Sequence, residues 1–380
     1  MRAKLVLCLV LALASTGAAQ AEELPLAQAE KELKAAAGLP AKKDRGAAAW
    51  RSHAEQLEQA FRAATAQNPG RAYLGLGRCQ LLLGRYGDAV ASFRKALRRA
   101  PNQRATAADL HGAGELAAIA RVVRPLLPRD SVVVQIAPFR AEHRKLWLVL
   151  SATLEPRKPW SDDEFYQNAR LRLFRETAHG LEQAWRSEVV RVGYGPGWTN
   201  DIRIYALEET PPKVMVGAVF YGAGWAPAHL EVFAWKGGKL AKVFALDSEE
   251  SFWIQDLNGD GRHEIGGFQK IGSGLAIADM PRWSDIYAYE GGTYMLANQR
   301  FPKAFLEIGG EIRQRLEEHP DNHELLKCLG IYYEIEGDLA AALDAYRRAL
   351  TAHTAQEQAP SEREEREVTG IRARIQRLGG

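Results

Sequence analysis

Within nine residues the chain places Asp256, Asn258, Asp260 and Glu264 at alternating positions of one short loop, with the backbone carbonyl of Arg262 between the last two. A hard cation such as calcium gathers about six to eight oxygens around one point. This loop can supply five of them from a single segment, and Gly259 and Gly261 permit the tight turns that curl it. Water or another segment must complete the shell. Such an ion would have a structural role, because five protein oxygens leave little reason for an open catalytic position. The same side chains can instead close a metal-free turn by bonding to the loop's own backbone. A helix-flanked calcium loop would place a bidentate Glu at its twelfth position, where this chain has Gly267. Its flanks, Phe252 to Ile254 and Ile265 to Phe268, read as strands.

Other chemistry is harder to assemble. Trp198 and Trp225 lie in glycine-rich turns, where a ring could stack on a sugar or a peptide proline, although β cores also consume aromatics. The glycines from Gly193 to Gly197 precede no helical pattern, so they do not make a dinucleotide loop. No strained Ser elbow, His-Glu-x-x-His pair or phosphate-cradling Gly-Lys-Ser/Thr loop occurs. No histidine is spaced with another His, Cys or acid as a zinc set. Carboxylates brought together only in space, as in glycoside hydrolysis, leave little sequence signature and stay open as an alternative.

The elements that must position the acidic loop are strands. From residue 129 to 300 helical periodicity gives way to short runs of Val, Ile, Phe, Tyr and Trp broken by Gly and Pro. Gly222, Gly224, Ala226 and Ala228 align with Gly272, Gly274, Ala276 and Ala278. After a short insertion, Val232-Phe233 aligns with Ile286-Tyr287 and Trp235-Lys236-Gly237-Gly238 with Tyr289-Glu290-Gly291-Gly292. A fainter copy runs from Trp147 through Leu171–Phe174 to Trp185. Such copies predict a partial, propeller-like antiparallel array of about three blades, which leaves closure open. The acidic loop resembles the FG-GAP/VCBS repeats of integrin-type propellers. That resemblance implies calcium on Asp256, Asn258, Asp260, Arg262 (by its carbonyl) and Glu264. One copy alone keeps the motif, since Ala206, Glu208, Thr210 and Val214 stand at the equivalent places in the copy before it.

Helical patterns occupy both ends. Residues 47 to 67 carry Trp50, Leu57, Phe61 and Ala64 on one face, stopped by Asn68-Pro69-Gly70. Tyr73, Leu76, Gly77, Gly84, Ala89, Phe93, Ala96 and Pro101 then fall at the offsets of a 34-residue helix-turn-helix unit. Leu326, Leu329, Gly330, Tyr333, Gly337, Ala342, Tyr346 and Ala349 repeat them, with Thr354 in place of the final proline. Both segments resemble tetratricopeptide repeats, which implies protein or peptide partners. Weaker helices are predicted at 115–127 and 303–318. After Pro360, Val368, Ile371, Ile375 and Leu378 make the apolar stripe of a capping helix, whose charged run from Glu362 to Glu367 reads as a solvated face.

Residues 1–21 have the form of an export signal: Arg2 and Lys4, an apolar run from Leu5 to Ala14, and Ala19-Gln20-Ala21 as a cleavage site. Its removal lowers the formal charge from +3 to +1, which gives no long-range attraction to nucleic acid or anionic lipid. Cys79 and Cys328 then remain, in helical stretches where buried thiols are common, with a disulfide between them the lesser alternative. The expected organisation is α + β and multidomain: a signal peptide (1–21), a helical repeat domain (22–128), a β-repeat domain (129–300) and a second helical repeat domain with its cap (301–380). The expected function is that of an exported, periplasmic or secreted, non-enzymatic protein-binding scaffold with structural calcium. A carbohydrate-binding or carbohydrate-active envelope protein is the alternative.

Overall fold

The computed structural model describes residues 26–38, 50–101, 103–154, 166–190, 201–219, 227–249, 251–270, 282–354 and 362–379. The chain divides into two compact units, Met1–Gly38 with Arg51–Ala118 and Leu39–Trp50 with Ile119–Gly380.

The first unit is built from α1 (Leu26–Ala37), α2 (Trp50–Ala63), α3 (Pro69–Leu82), α4 (Tyr86–Arg99) and the start of α5 (Arg104–Val123). Pro69 opens α3, where the missing amide proton costs nothing, and Gly84 turns the chain at φ 71° before α4. Two glycines on α3 admit aromatic rings from both sides. A methyl on Gly75 would sit 2.2 Å from the Phe61 ring of α2, and one on Gly77 would sit 2.6 Å from the Phe93 ring of α4. Both rings are fully buried. Helix α5 begins well before the predicted 115; its first half, residues 104–113, has Leu110 as its one large apolar residue and so shows no apolar period.

The second unit holds three four-stranded antiparallel meanders, each in chain order. The first sheet is β1 (Ser131–Ala141), β2 (Arg144–Leu154), β3 (Tyr166–Thr177) and β4 (Gly180–Arg186). The second is β5 (Asp201–Leu207), β6 (Lys213–Val219), β7 (Ala228–Lys236) and β8 (Lys239–Ser248). The third is β9 (Phe252–Gln255), β10 (Glu264–Lys270), β11 (Arg282–Glu290) and β12 (Thr293–Leu296). Strand alternation sends one face of each sheet to each neighbour. Thus Val214, Val216 and Ala218 of β6 join Leu146, Leu148 and Leu150 of the first sheet. On the other face, Met215 and Val219 join Phe252, Ile254 and Ile265 of the third. The paired glycines at 237–238 and 291–292 turn the last hairpins of the second and third sheets at positive φ, as their alignment implied.

None of the three sheets closes on itself or on the others to complete a ring. The far face of the third sheet is covered by helices: Trp253, Trp283 and Ile286 share a cluster with Phe305, Ile312, Cys328 and Tyr332. A short 3-10 turn at Pro302–Phe305 leads into α6 (Leu306–Glu318), followed by α7 (His323–Glu336), α8 (Leu339–Thr354) and α9 (Glu362–Arg377). The glycine notch recurs here, with Gly309 of α6 under Tyr332 and Gly330 of α7 under Tyr346. Ile371 of α9 is buried against Leu326, Ala342 and Tyr346, with Ile375 and Leu378 beside it, so the last helix caps the repeat as its stripe predicts. Cys79 and Cys328 are both free thiols, one in each unit, which corrects the alternative of a disulfide between them.

Candidate functional site

The acidic loop connects β9 to β10, and register pairs Gln255 with Glu264 at its base. Its side chains fold inward onto its own amides. Asp256 Oδ1 accepts from Gly259 N at 2.7 Å and Asp260 N at 3.2 Å, and Oδ2 accepts from Gly261 N at 2.9 Å. Asn258 Oδ1 accepts from Asp260 N at 3.0 Å, and Asp260 Oδ1 from Arg262 N at 2.8 Å. Gly259 and Gly261 take φ of 77° and 80°, the left-handed region that a side chain would strain. Glu264 is buried at the foot of the loop, where its Oε2 accepts from Leu257 N at 2.8 Å.

The electrostatics differ across the loop. Partial burial raises the Asp256 carboxyl, but the three amide donors from Gly261, Gly259 and Asp260 outweigh it and hold the group below its ordinary range. Glu264 is pushed up, first by burial and then by the negative charges of Asp260 and Asp256, against backbone donors from Leu257 and its own amide. Among the described residues, no three His, Cys, Asp or Glu side chains form a group able to hold a metal. A cation here therefore depends on the Asn258 amide oxygen and the Arg262 carbonyl as well. The Asp256, Asn258 and Asp260 oxygens that such a cation would use already accept from the loop's own amides, as in a metal-free turn.

A second group, not anticipated from the sequence, lies against this loop from the turn between β5 and β6. Lys213 is fully buried, with Nζ 3.2 Å from Glu209 Oε2 and 3.9 Å from the centre of the Tyr289 ring. Burial pushes the Lys213 ammonium down, opposed by Glu209 and aided by Arg262. Glu209 Oε2 also accepts from the His263 backbone amide at 3.3 Å, and the Tyr294 hydroxyl donates to the His263 carbonyl at 3.1 Å. The Glu209–His263 and Lys213–Tyr289 contacts cross from the second sheet to the third, and the Tyr294 bond holds His263 within the third. A pairing of residues so far apart in the chain leaves no local pattern.

The stacking candidates Trp198 and Trp225 lie outside the described residues, as do the glycines 193–197 and the export segment 1–21.

In the first unit, α1, α3 and α5 are linked side by side. Arg71 Nε donates to Glu30 Oε1 at 3.0 Å, and Arg78 Nε donates to Asp109 Oδ2 at 2.8 Å. Beneath them, buried Glu58 accepts from Arg62 and Arg85 at 2.7 Å each, and from Gln80 at 3.3 Å. In the second unit α7 is buried along most of its length by α6, α8 and the third sheet, and Arg374 and Arg377 of α9 pair with its Glu334.

Residues 54–104 and 310–360 both match the tetratricopeptide repeat. Both ends of the chain carry tetratricopeptide repeats. The matches agree with the glycine notches at Gly77 and Gly330, and they do not extend into the three sheets. The chain matches no curated protein. Among the described residues, no helix is long and apolar enough to cross a membrane.

Proposed function

We propose that this chain is an exported, non-enzymatic scaffold whose first unit binds a protein or peptide partner through α1, α3 and α5. The observation that carries the reading is the row of ion pairs, Arg71–Glu30 and Arg78–Asp109, that Arg71 and Arg78 make from α3, a helix inside the first tetratricopeptide match. Both arginines stand about half exposed. They can exchange a weak surface partner for a carboxylate of an incoming chain, because exposed pairs are worth only ~0–1 kcal/mol. Tetratricopeptide repeats generally serve protein association and not catalysis, which favours this reading over an enzyme. The second unit uses its repeat internally, as the cover of the third sheet, and so acts as a rigid support. Its sheets are of the FG-GAP/VCBS type, stiffened by calcium in the 256–264 loop.

The test is affinity purification from the envelope extract of the source organism, using the full chain and an Arg71→Glu/Arg78→Glu variant. A partner recovered at stoichiometric level by the first and lost by the second, with both proteins equally folded by circular dichroism, is the expected result. Equal recovery by both would remove the row from the binding surface.

A further inference from the structure

The first sheet buries a positive charge without a negative one to match it. Arg172 of β3 is 5% exposed and lies on the sheet face opposite to Leu171 and Leu173, which belong to the core shared with the second sheet. Its Nε donates to Ser151 Oγ at 3.0 Å and its Nη1 to Gln183 Oε1 at 2.9 Å, so both acceptors are neutral. Two more arginines share this face. Arg170 lies two residues back on β3, where its Nη1 donates to the Ser187 carbonyl at 3.3 Å, and Arg186 of β4 stands directly opposite Arg172 in the register. Like charges directly opposite on a sheet repel. Burial, then Arg186 and Arg170, push the Arg172 guanidinium below its ordinary range.

The sheet itself cannot balance these charges. Its four strands carry seven arginines and lysines against two acids. Both acids are engaged elsewhere: Glu176 accepts from Trp147 Nε1 at 3.0 Å, and Glu182 from Arg175 Nη2 at 2.8 Å. Among the described residues, no carboxylate pairs with Arg170, Arg172 or Arg186. A buried charge is tolerated when it is matched, so the match comes from outside the sheet. The group is within reach of solvent, because Gln183 and Arg186 are exposed on β4, the edge strand, and the Arg172 fork extends to Gln183. We infer that Arg170, Arg172 and Arg186 form a binding site for a divalent oxyanion, a phosphate or sulfate group, on this face of the first sheet. A monocarboxylate would leave two of the three charges unmatched, whereas a dianion leaves one. Guanidinium forks suit such oxygens by geometry as well as by charge. Arg172 is the fixed anchor, held on two edges by Ser151 and Gln183, and the arginines on either side of it complete the site. Neither the repeat helices nor the acidic loop takes part.

The experiment is calorimetric titration of the full chain, at constant ionic strength in chloride, with sodium phosphate, sodium sulfate, glycerol 3-phosphate and, as the monovalent control, sodium acetate. Expected are one site for the divalent anions and binding of acetate weaker by about tenfold or more. Tighter binding of glycerol 3-phosphate than of inorganic phosphate assigns the site to an esterified phosphate, and the reverse order to the free ion. Arg172→Met, which keeps an apolar stem without the charge, and Arg186→Gln should each lower the affinity about 10–100-fold, the loss of a hydrogen bond to a charged group. Arg186→Gln lies at an exposed position and keeps the test valid should Arg172→Met fail to fold. It also gives a readout that a merely structural cluster would not. In chloride its melting temperature should equal or exceed that of the unaltered protein, because the repulsion on Arg172 is relieved. The rise that phosphate gives the unaltered protein should be lost in it. Absence of phosphate and sulfate binding to the unaltered protein overturns the inference, as does unchanged affinity in folded Arg186→Gln. Acetate bound as tightly as phosphate overturns the divalent assignment.

Discussion

Gly266 is the position where one added methyl should do most damage. It lies directly opposite Trp253 in the β9–β10 register, and the indole folds across it. A Cβ there would stand 1.7 Å from Trp253 Cε2 and 2.1 Å from both Cζ2 and Nε1, where carbon atoms need about 3.5 Å. The ring cannot slide away cheaply. It is 1% exposed, shares a cluster with Trp283, Phe305 and Tyr332, and its Nε1 donates to Ser284 Oγ at 2.7 Å. Forced overpacking costs about 1–3 kcal/mol, and leaving Ser284 and the indole N–H unpaired costs about 1–3 kcal/mol more. Gly266→Ala should therefore lose roughly 3–5 kcal/mol, a large share of the roughly 5–15 kcal/mol that keeps a domain folded. Urea unfolding followed by tryptophan fluorescence would read this as a midpoint lower by about 1 M or more. Two controls sharpen the test. Gly310→Ala meets nothing within 4 Å and should stabilise α6 by about 0.5–1 kcal/mol. Trp253→Phe, which lacks Cζ2 and Nε1, should recover part of the loss when combined with Gly266→Ala. A loss under about 0.5 kcal/mol, or strictly additive effects in the double variant, would refute the ring-over-glycine packing and with it the docking of α6 and α7 on the third sheet.

Three further outcomes follow from the same description. Glu334 accepts from Tyr346 and Arg374 at 2.6 and 2.8 Å and pairs with Arg377; burial opposes its ionisation, but these partners prevail and hold it below its ordinary 4.5. The pair thus stabilises the attachment of α9 above pH 4.5 and loses that contribution as the pH falls through the lowered value; Glu334→Gln should be less stable by about 1–2 kcal/mol at neutral pH and show a flatter acid profile in thermal melts. Cys79 is pushed up to about 12 by burial, reinforced by Glu58, so the native chain should resist iodoacetamide at pH 8 and label only in denaturant; native labelling would contradict the packing of α3. Millimolar calcium should raise the melting temperature of the unaltered protein, and Asp260→Ala should abolish the rise; no rise in the unaltered protein would remove the ion.

How much of this was legible in the sequence depended on distance along the chain. The notches Gly77–Phe93 and Gly330–Tyr346 could be read because both partners lie inside one repeat. Gly75–Phe61 and Gly309–Tyr332 join different helix pairs, and nothing in the repeat spacing marks them. Short apolar runs marked residues 129–300 as β and the aligned glycines marked two of the hairpins, while the fourth strand of each sheet, the stacking of the sheets and the helical cover on the third had no local signature. The start of α5 was hidden because its alanines favour helix without showing an amphipathic period. The acidic loop is a nine-residue string and was evident at once. Glu209 and Lys213 were not, since their relation to His263 exists only across two sheets.

The cover on the third sheet also sets an order of events during synthesis. Trp253 and Trp283 leave the ribosome well before Phe305, Ile312 and Tyr332, the residues that shield them. A nascent chain carries a bare aromatic surface through that interval, and a chain terminated before residue 306 keeps it permanently. Premature stop products should thus be sticky and short-lived in the cell, and the last repeat serves in effect as a completeness check on every copy made.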